Sequence, residues 1–160
     1  EISRGASIAL WAQDNRANLA TRLIGYGPGA SRISATGGLG VVAQRYVPLH
    51  INSTTMAVVL WDSGLLGATS FFCLILFTLL MLRRLSGSPQ LSAKERAGAD
   101  ALGAIALVML SLFFYNTYLN DEPTMQLLLA TAVGMGLYWR SKVRPREAPQ
   151  QATASRPVPA

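Results

Sequence analysis

The chain has 160 residues, 51% hydrophobic and 14% charged, with 14 Lys+Arg against 8 Asp+Glu for a formal net charge of +6. Soluble domains carry about a quarter of their residues as charges; here residues 63–82, 101–120 and 123–139 hold no Asp, Glu, Lys, Arg or His. That segregation argues against a water-soluble globular domain, and the scatter of basic residues over three segments argues against a nucleic-acid-binding stripe.

One histidine, His50, and one cysteine, Cys73, leave no zinc site. Cys73 reads as a small buried apolar side chain. No signal peptide opens the chain, and a start at Glu1 inside a polar segment reads as a piece of a longer membrane protein.

Residues 7–24 fit one amphipathic helix. Ile8, Trp11, Leu19 and Leu23 share a face, with Asp14, Asn18 and Arg22 on another. The helix breaks at Gly25-Tyr26-Gly27-Pro28-Gly29, a turn whose backbone can approach a ligand closely. No Walker lysine follows it and no strand precedes it, so neither nucleotide fingerprint is met. Thr36–Gly40 is a second glycine-rich patch, either a loop over a site or a plain connector.

Asn52, Ser53 and Thr54 are N-cap candidates for a helix that runs through Trp61 and Asp62 into the first apolar run. His50 then stands at or just before a helix N-terminus, where the dipole favours the neutral imidazole that a general base needs. An idle interfacial histidine is the plainer reading. Asp62 reads as the partner of an arginine or as a carboxylate reaching the headgroups.

The three apolar runs predict transmembrane helices. Ser63–Leu82 and Ala101–Asn120 have twenty residues each, about 30 Å of helix. Pro123–Trp139 is shorter but opens on a proline and closes on Tyr138-Trp139, where an aromatic belt is expected. A tight hairpin at Asn120–Glu122 joins the last two. Arg83, Arg84, Lys94 and Arg96 lie between the first two runs, and Arg140, Lys142, Arg144 and Arg146 follow the third. By the positive-inside rule these segments are cytoplasmic, and residues 1–62 and the hairpin lie outside. The Pro- and Ala-rich tail Pro145–Ala160 is expected to be disordered.

The fold class expected is an all-α integral membrane protein, three transmembrane helices preceded by a periplasmic helix and loop, as part of a larger polytopic bundle. Residues 1–57 form the periplasmic helix and loop. The first transmembrane helix covers 58–82, a cytoplasmic loop 83–100 and the second helix 101–120. A turn and third helix occupy 121–139, and a cytoplasmic tail 140–160.

The outer segment holds five arginines (Arg4, Arg16, Arg22, Arg32, Arg45), no lysine and three acids. Topology does not require that bias. Guanidinium is suited to phosphate oxygens and stays charged when partly buried, whereas solvated surface charge is the plainer reading for any one of them.

The order of these features is similar to the C-terminal part of the O-antigen ligase and polymerase superfamily of bacterial envelope glycosyltransferases. The residues that carry the likeness are the G-x-G-x-G turn at Gly25, Gly27 and Gly29, then HINSTTMAVVLWDSGLLG at 50–67. There His50 and Asn52 precede Asp62, Gly64 and Gly67, which lead into the first span. The resemblance covers residues 1–85. It departs from the pattern where Ile51 splits the His-Asn pair, where aspartate replaces glutamate, and where the family's histidine position falls on Ser53, three residues after His50.

The resemblance implies transfer of a glycan from an undecaprenyl-diphosphate carrier to a hydroxyl acceptor, lipid A–core or another glycan, in the bacterial inner membrane. It implies no metal and no cofactor, with guanidinium groups stabilising the departing diphosphate. On that reading His50 is the base; Arg32 and Arg45, which stand close in sequence to the glycine turn and to His50 but match no family motif, contact the diphosphate, with Arg22 behind them. The alternative from another class is a non-catalytic membrane scaffold or polysaccharide export partner.

Overall fold

The computed structural model describes residues 3–32 and 38–143, and every helix or strand of more than one residue among them is helical. Arg144, Arg146, the tail from Pro145 and the Thr36-Gly37 half of the second glycine patch lie outside the described residues. In chain order the elements are α1 (Arg4–Gln13), α2 (Leu19–Ile24), a 3-10 turn (Ala43–Tyr46), α3 (Thr55–Ser86), α4 (Ala93–Tyr115), α5 (Tyr118–Asp121) and α6 (Pro123–Val143).

Two helices, α3 and α4, are long and apolar enough to cross a membrane. Their unpacked faces carry Leu66, Leu74, Phe77, Leu80, Leu107, Val108 and Phe114, all exposed. A helix facing water is polar on that side, so these faces fit lipid contact. Cys73 is exposed on α3 too and is not the buried side chain expected.

The first apolar run forms the long helix expected, opening at Thr54, whose side chain accepts from the Ala57 N–H at 3.1 Å. The helix continues beyond Leu82 to Ser86. The expected loop 83–100 is mostly helical. Ser92 and Glu95 form a reciprocal capping box that starts α4 at Ala93. Nor does the second run stay helical to Asn120. Asn116 is extended (φ −145°, ψ 167°), and its carbonyl accepts from the Thr55 N–H at 2.8 Å and the Thr55 hydroxyl at 2.6 Å. Those bonds to the start of α3 hold Asn116 out of the helix, so the short α5 replaces the simple three-residue hairpin.

The run at 123–139 is a helix, α6, but its length and composition do not single it out as a membrane span as they do α3 and α4. Thr124, Gln126 and Thr131 dilute its apolar character. It buries Leu129, Ala132, Gly136 and Trp139 along one stripe. Leu129 packs with Ile75, Met109 and Phe113; Ala132 and Trp139 pack with Met81, Leu82 and Leu85. Against α3, α4 presents Ala99, Gly103 and Ala106, small residues that let the two backbones approach.

The predicted single helix over 7–24 is two helices. α1 ends at Gln13 because Asp14 leaves helical geometry and accepts from the Arg16 N–H at 3.0 Å. α2 restarts behind Asn18, whose side chain accepts from the Thr21 N–H at 2.8 Å. Both are polar residues that compete for backbone partners and favour caps. The predicted apolar face is lost with the break, and Leu19 is 76% exposed.

Residues 3–32 and 38–54 form a cap on the N-terminal end of α3. The α4–α5 junction lies at the same end, through the Thr55–Asn116 bonds and an Arg32–Asp121 ion pair. Leu85, Leu91, Ala99 and Trp139 close the opposite end.

Candidate functional site

The cap is joined to α3 by backbone. Gly64 interrupts the helix with φ +67° and ψ −166°, producing a kink. At a kink carbonyl groups turn outward and need partners. The Trp61 carbonyl accepts from the Tyr26 N–H at 2.9 Å and the Asp62 carbonyl from the Gly27 N–H at 3.0 Å. A Cβ on Gly25 would stand 2.3 Å from the Asp62 carbonyl oxygen, and one on Gly64 would stand 2.4 Å from the Leu23 carbonyl oxygen. Only hydrogen fits at either position. Gly67, one turn on, has no more room, since its Cβ would lie 2.2 Å from that of Ser63.

The side chain of Asp62 completes the joint. It is buried, and its two carboxylate oxygens accept from the Gly29 and Ser31 N–H groups at 2.9 Å each. The glycine turn is therefore wound around a carboxylate, with Gly27 and Gly29 supplying positive-φ corners. Two expectations change. The close approach permitted at Gly25 is to α3, and Asp62, buried against the turn's N–H groups, pairs with no arginine among the described residues.

Next to the joint lies an aromatic cluster. Trp61 is fully buried, with Tyr26 at 6.0 Å and Tyr46 at 5.6 Å between ring centroids. The Tyr26 phenol donates to the buried Asp14 carboxylate, and the Arg45 guanidinium lies 4.9 Å over the Tyr26 ring and 4.0 Å from Asp14. Burial, then Asp14, pushes the Tyr26 phenol above its ordinary value of 10.0, while Arg45 pulls the other way. Burial chiefly raises Tyr46 as well. Arg45 is thus engaged in holding the cap together.

The remaining predicted residues are arranged differently. Ser31 and His50 line one cleft of about 250 Å³, with Leu39, Pro48 and Asn52 among its walls. His50 is exposed and Asn52 half-buried. Ser53, at the family's histidine position, shares a hydrogen bond of 2.9 Å with Ser7. Arg32 follows Ser31 directly and pairs with Asp121. Arg22 lies in the last turn of α2, half-buried, and takes part in none of the ion pairs among the described residues. Gly40 belongs to the same floor: its N–H donates to the Arg32 carbonyl at 2.7 Å, and a Cβ there would meet the Gly29 carbonyl oxygen at 2.2 Å.

Three buried polar atoms here have no hydrogen-bond partner among the described residues: Ser31 Oγ, Arg32 Nη2 and Trp61 Nε1. All three can donate. Buried donors without acceptors are costly, at about 1–3 kcal/mol each, and mark places where a partner is missing. Of the three residues, Ser31 also lines the cleft that holds the exposed His50, and Arg32 follows it in the chain.

Sequence reasoning missed Ser31, Tyr26, Tyr46 and Asp121 as parts of this region. Tyr26 and Ser31 border or interrupt the glycine turn, and that proximity was the available signal. The Arg32–Asp121 pair spans 89 positions and left none.

These features define an all-helical protein with two helices fit to cross a membrane and a polar cap bonded to one end of them. Comparison of the chain with protein-family models, with curated proteins and with solved structures finds no match in any of the three.

Proposed function

We propose that the chain is part of a membrane glycosyltransferase that transfers a glycan from an undecaprenyl-diphosphate carrier to a hydroxyl acceptor, lipid A–core or another glycan repeat. The observation that carries this reading is the pair of buried donors without a partner among the described residues, Ser31 Oγ and Arg32 Nη2, with Ser31 lining the same cleft as His50. A diphosphate supplies the acceptor oxygens those donors lack. The motif order supports it too, since the G-x-G-x-G turn and the Asp-x-Gly stretch form one joint that sets the position of Ser31 and Arg32.

In the reaction the acceptor hydroxyl oxygen attacks the anomeric carbon, and the bond from that carbon to the diphosphate oxygen breaks. The diphosphate leaves with the electron pair, and the imidazole of His50 takes the hydroxyl proton. Arg32 stabilises the charge developing on the diphosphate, exchanging its pairing with the exposed Asp121 for the phosphate. Arg22, in the last turn of α2, is a second contact. Arg45 acts by holding Tyr26 and Asp14.

Six of the described basic residues, Arg83, Arg84, Lys94, Arg96, Arg140 and Lys142, lie at the end of the bundle opposite the cap. The positive-inside rule then puts the cap on the periplasmic face of the bacterial inner membrane, with α6 as the third span beside α3 and α4.

The test is to introduce His50→Ala and Arg32→Ala into the full-length protein and to read surface polysaccharide ladders alongside membrane abundance. Loss of long-chain material at unchanged abundance is expected from both. Normal ladders from both variants would overturn the site and favour a non-catalytic scaffold.

A further inference from the structure

At the end of the bundle away from the cap, α3 and α6 part to leave a cleft of about 520 Å³. Its α3 wall carries Phe77, Leu80, Met81 and Arg84, a stripe with helical spacing, and its α6 wall carries Arg140 and Val143. Phe77 and Leu80 are each 50% exposed, so the apolar wall is open to the surroundings of the helix. The Arg140 guanidinium lies 6.0 Å over the Phe77 ring. Among the described residues neither Arg84 nor Arg140 takes part in an ion pair, and no carboxylate lines the cleft. The Glu95 carboxylate at this end is bonded to Lys142, at 2.6 Å.

We propose that this cleft binds an anionic phospholipid, with the phosphate between Arg84 and Arg140 and an acyl chain along Phe77 and Leu80. Charge complementarity commits the occupant. A second apolar helix would need no cation here, and a zwitterionic headgroup would set its own positive charge against two guanidiniums. The C-termini of α3 and α6 oppose an anion with about half a charge each, but the two arginines outweigh them, and Arg83 and Lys142 stand in the same last turns. The order of side chains agrees, because an apolar wall ending in arginines matches the profile of a lipid from tail to headgroup. The inference is independent of glycan transfer.

The experiment uses the full chain in nanodiscs of phosphatidylcholine doped with phosphatidylglycerol, with retained lipid counted by native mass spectrometry. Parallel thermal unfolding is run with phosphatidylglycerol vesicles, phosphatidylcholine vesicles or inorganic phosphate alone. We expect preferential retention of phosphatidylglycerol, reduced about thirtyfold in the Arg84→Gln/Arg140→Gln variant. Arg96→Gln, which removes a basic residue that does not line the cleft, should retain the lipid as the parent does. Helical content by circular dichroism verifies that each variant is folded. Equal retention of both lipids, or unchanged retention in the folded double variant, overturns the proposal. Stabilisation by inorganic phosphate equal to that by phosphatidylglycerol vesicles also overturns it, since the apolar wall would then contribute nothing.

Discussion

The two ends of the helical bundle are held by different physics. At the cap, cohesion comes from directional bonds: Tyr26 and Gly27 N–H groups on α3 carbonyls, Gly29 and Ser31 N–H groups on the Asp62 carboxylate, the Tyr26 phenol on Asp14. At the far end it comes from Met81, Leu82, Leu85, Leu91, Ala99 and Trp139 in apolar contact. Directional bonds require particular backbone positions, so a misplaced atom breaks several at once. Apolar contacts among flexible side chains can be remade a few tenths of an ångström away. Single substitutions should therefore fall hard on the cap and lightly on the far end.

The sharpest contrast is between glycines. Gly25→Ala or Gly64→Ala drives a methyl group against main-chain atoms that cannot withdraw, at a residue with positive φ, and should cost about 4 kcal/mol of cap stability. The measurement is limited proteolysis of the cap, with Trp61 fluorescence reporting its exposure; a variant as resistant as the parent would break the comparison. Asp62→Ala comes next. It removes both acceptors of the glycine turn and should cost about 3 kcal/mol, with Asp62→Asn recovering part of that through one amide oxygen. Equal losses from the two variants would show that the carboxylate is not what organises the turn.

Tyr26→Phe should cost about 1 kcal/mol and carries a signature in pH. The folded cap raises the Tyr26 phenol above 10.0, so it holds that proton more tightly than the unfolded chain does. The stabilisation is complete below pH 10 and is lost as pH rises through the raised value. Chemical denaturation of the cap across that range should show an alkaline decline that Tyr26→Phe reduces, with Tyr46 supplying the remainder. An identical decline in the variant would remove Tyr26 from the account. The smallest effect belongs to the far end. A Cβ on Gly136 would meet the Met81 Cε at 2.2 Å, the tip of a flexible side chain. Gly136→Ala should therefore change thermal stability by about 0.5 kcal/mol or less.

The contrast also marks what could be read in advance. Long apolar runs announced α3 and α4, because burial in lipid or in a packed interior is a property of consecutive side chains. The Thr54 cap was legible for the same reason, a donor–acceptor match within four residues. The break at Asp14 was not, since periodicity alone carried residues 7–24 as one helix and the carboxylate's partners include Tyr26, twelve positions on. The end of α4 at Asn116 was invisible because its cause is Thr55, sixty-one positions away. Among the site residues, motif order singles out Gly25, Gly64, Gly67 and Asp62, and the fold gathers Gly25, Gly64 and Asp62 into one joint, while Gly67 meets only Ser63 and Val59 of its own helix. The two glycines of the joint permit backbone approach, and Asp62 accepts from the turn's N–H groups. Arg45, expected from its position to contact phosphate, lies against Asp14 and Tyr26.

By itself the sequence determined the helical class, the two apolar helices and the division of basic residues between segments, all of which follow from side chains read along the chain. Only the tertiary structure decided that a glycine turn and a helix kink are one object, that Asp62 serves backbone donors, and that Ser31, whose buried hydroxyl has no partner among the described residues, shares a cleft with His50. The reason is physical. A hydrogen bond or a contact that only glycine permits is defined by two positions at once, and the linear chain records each of them separately.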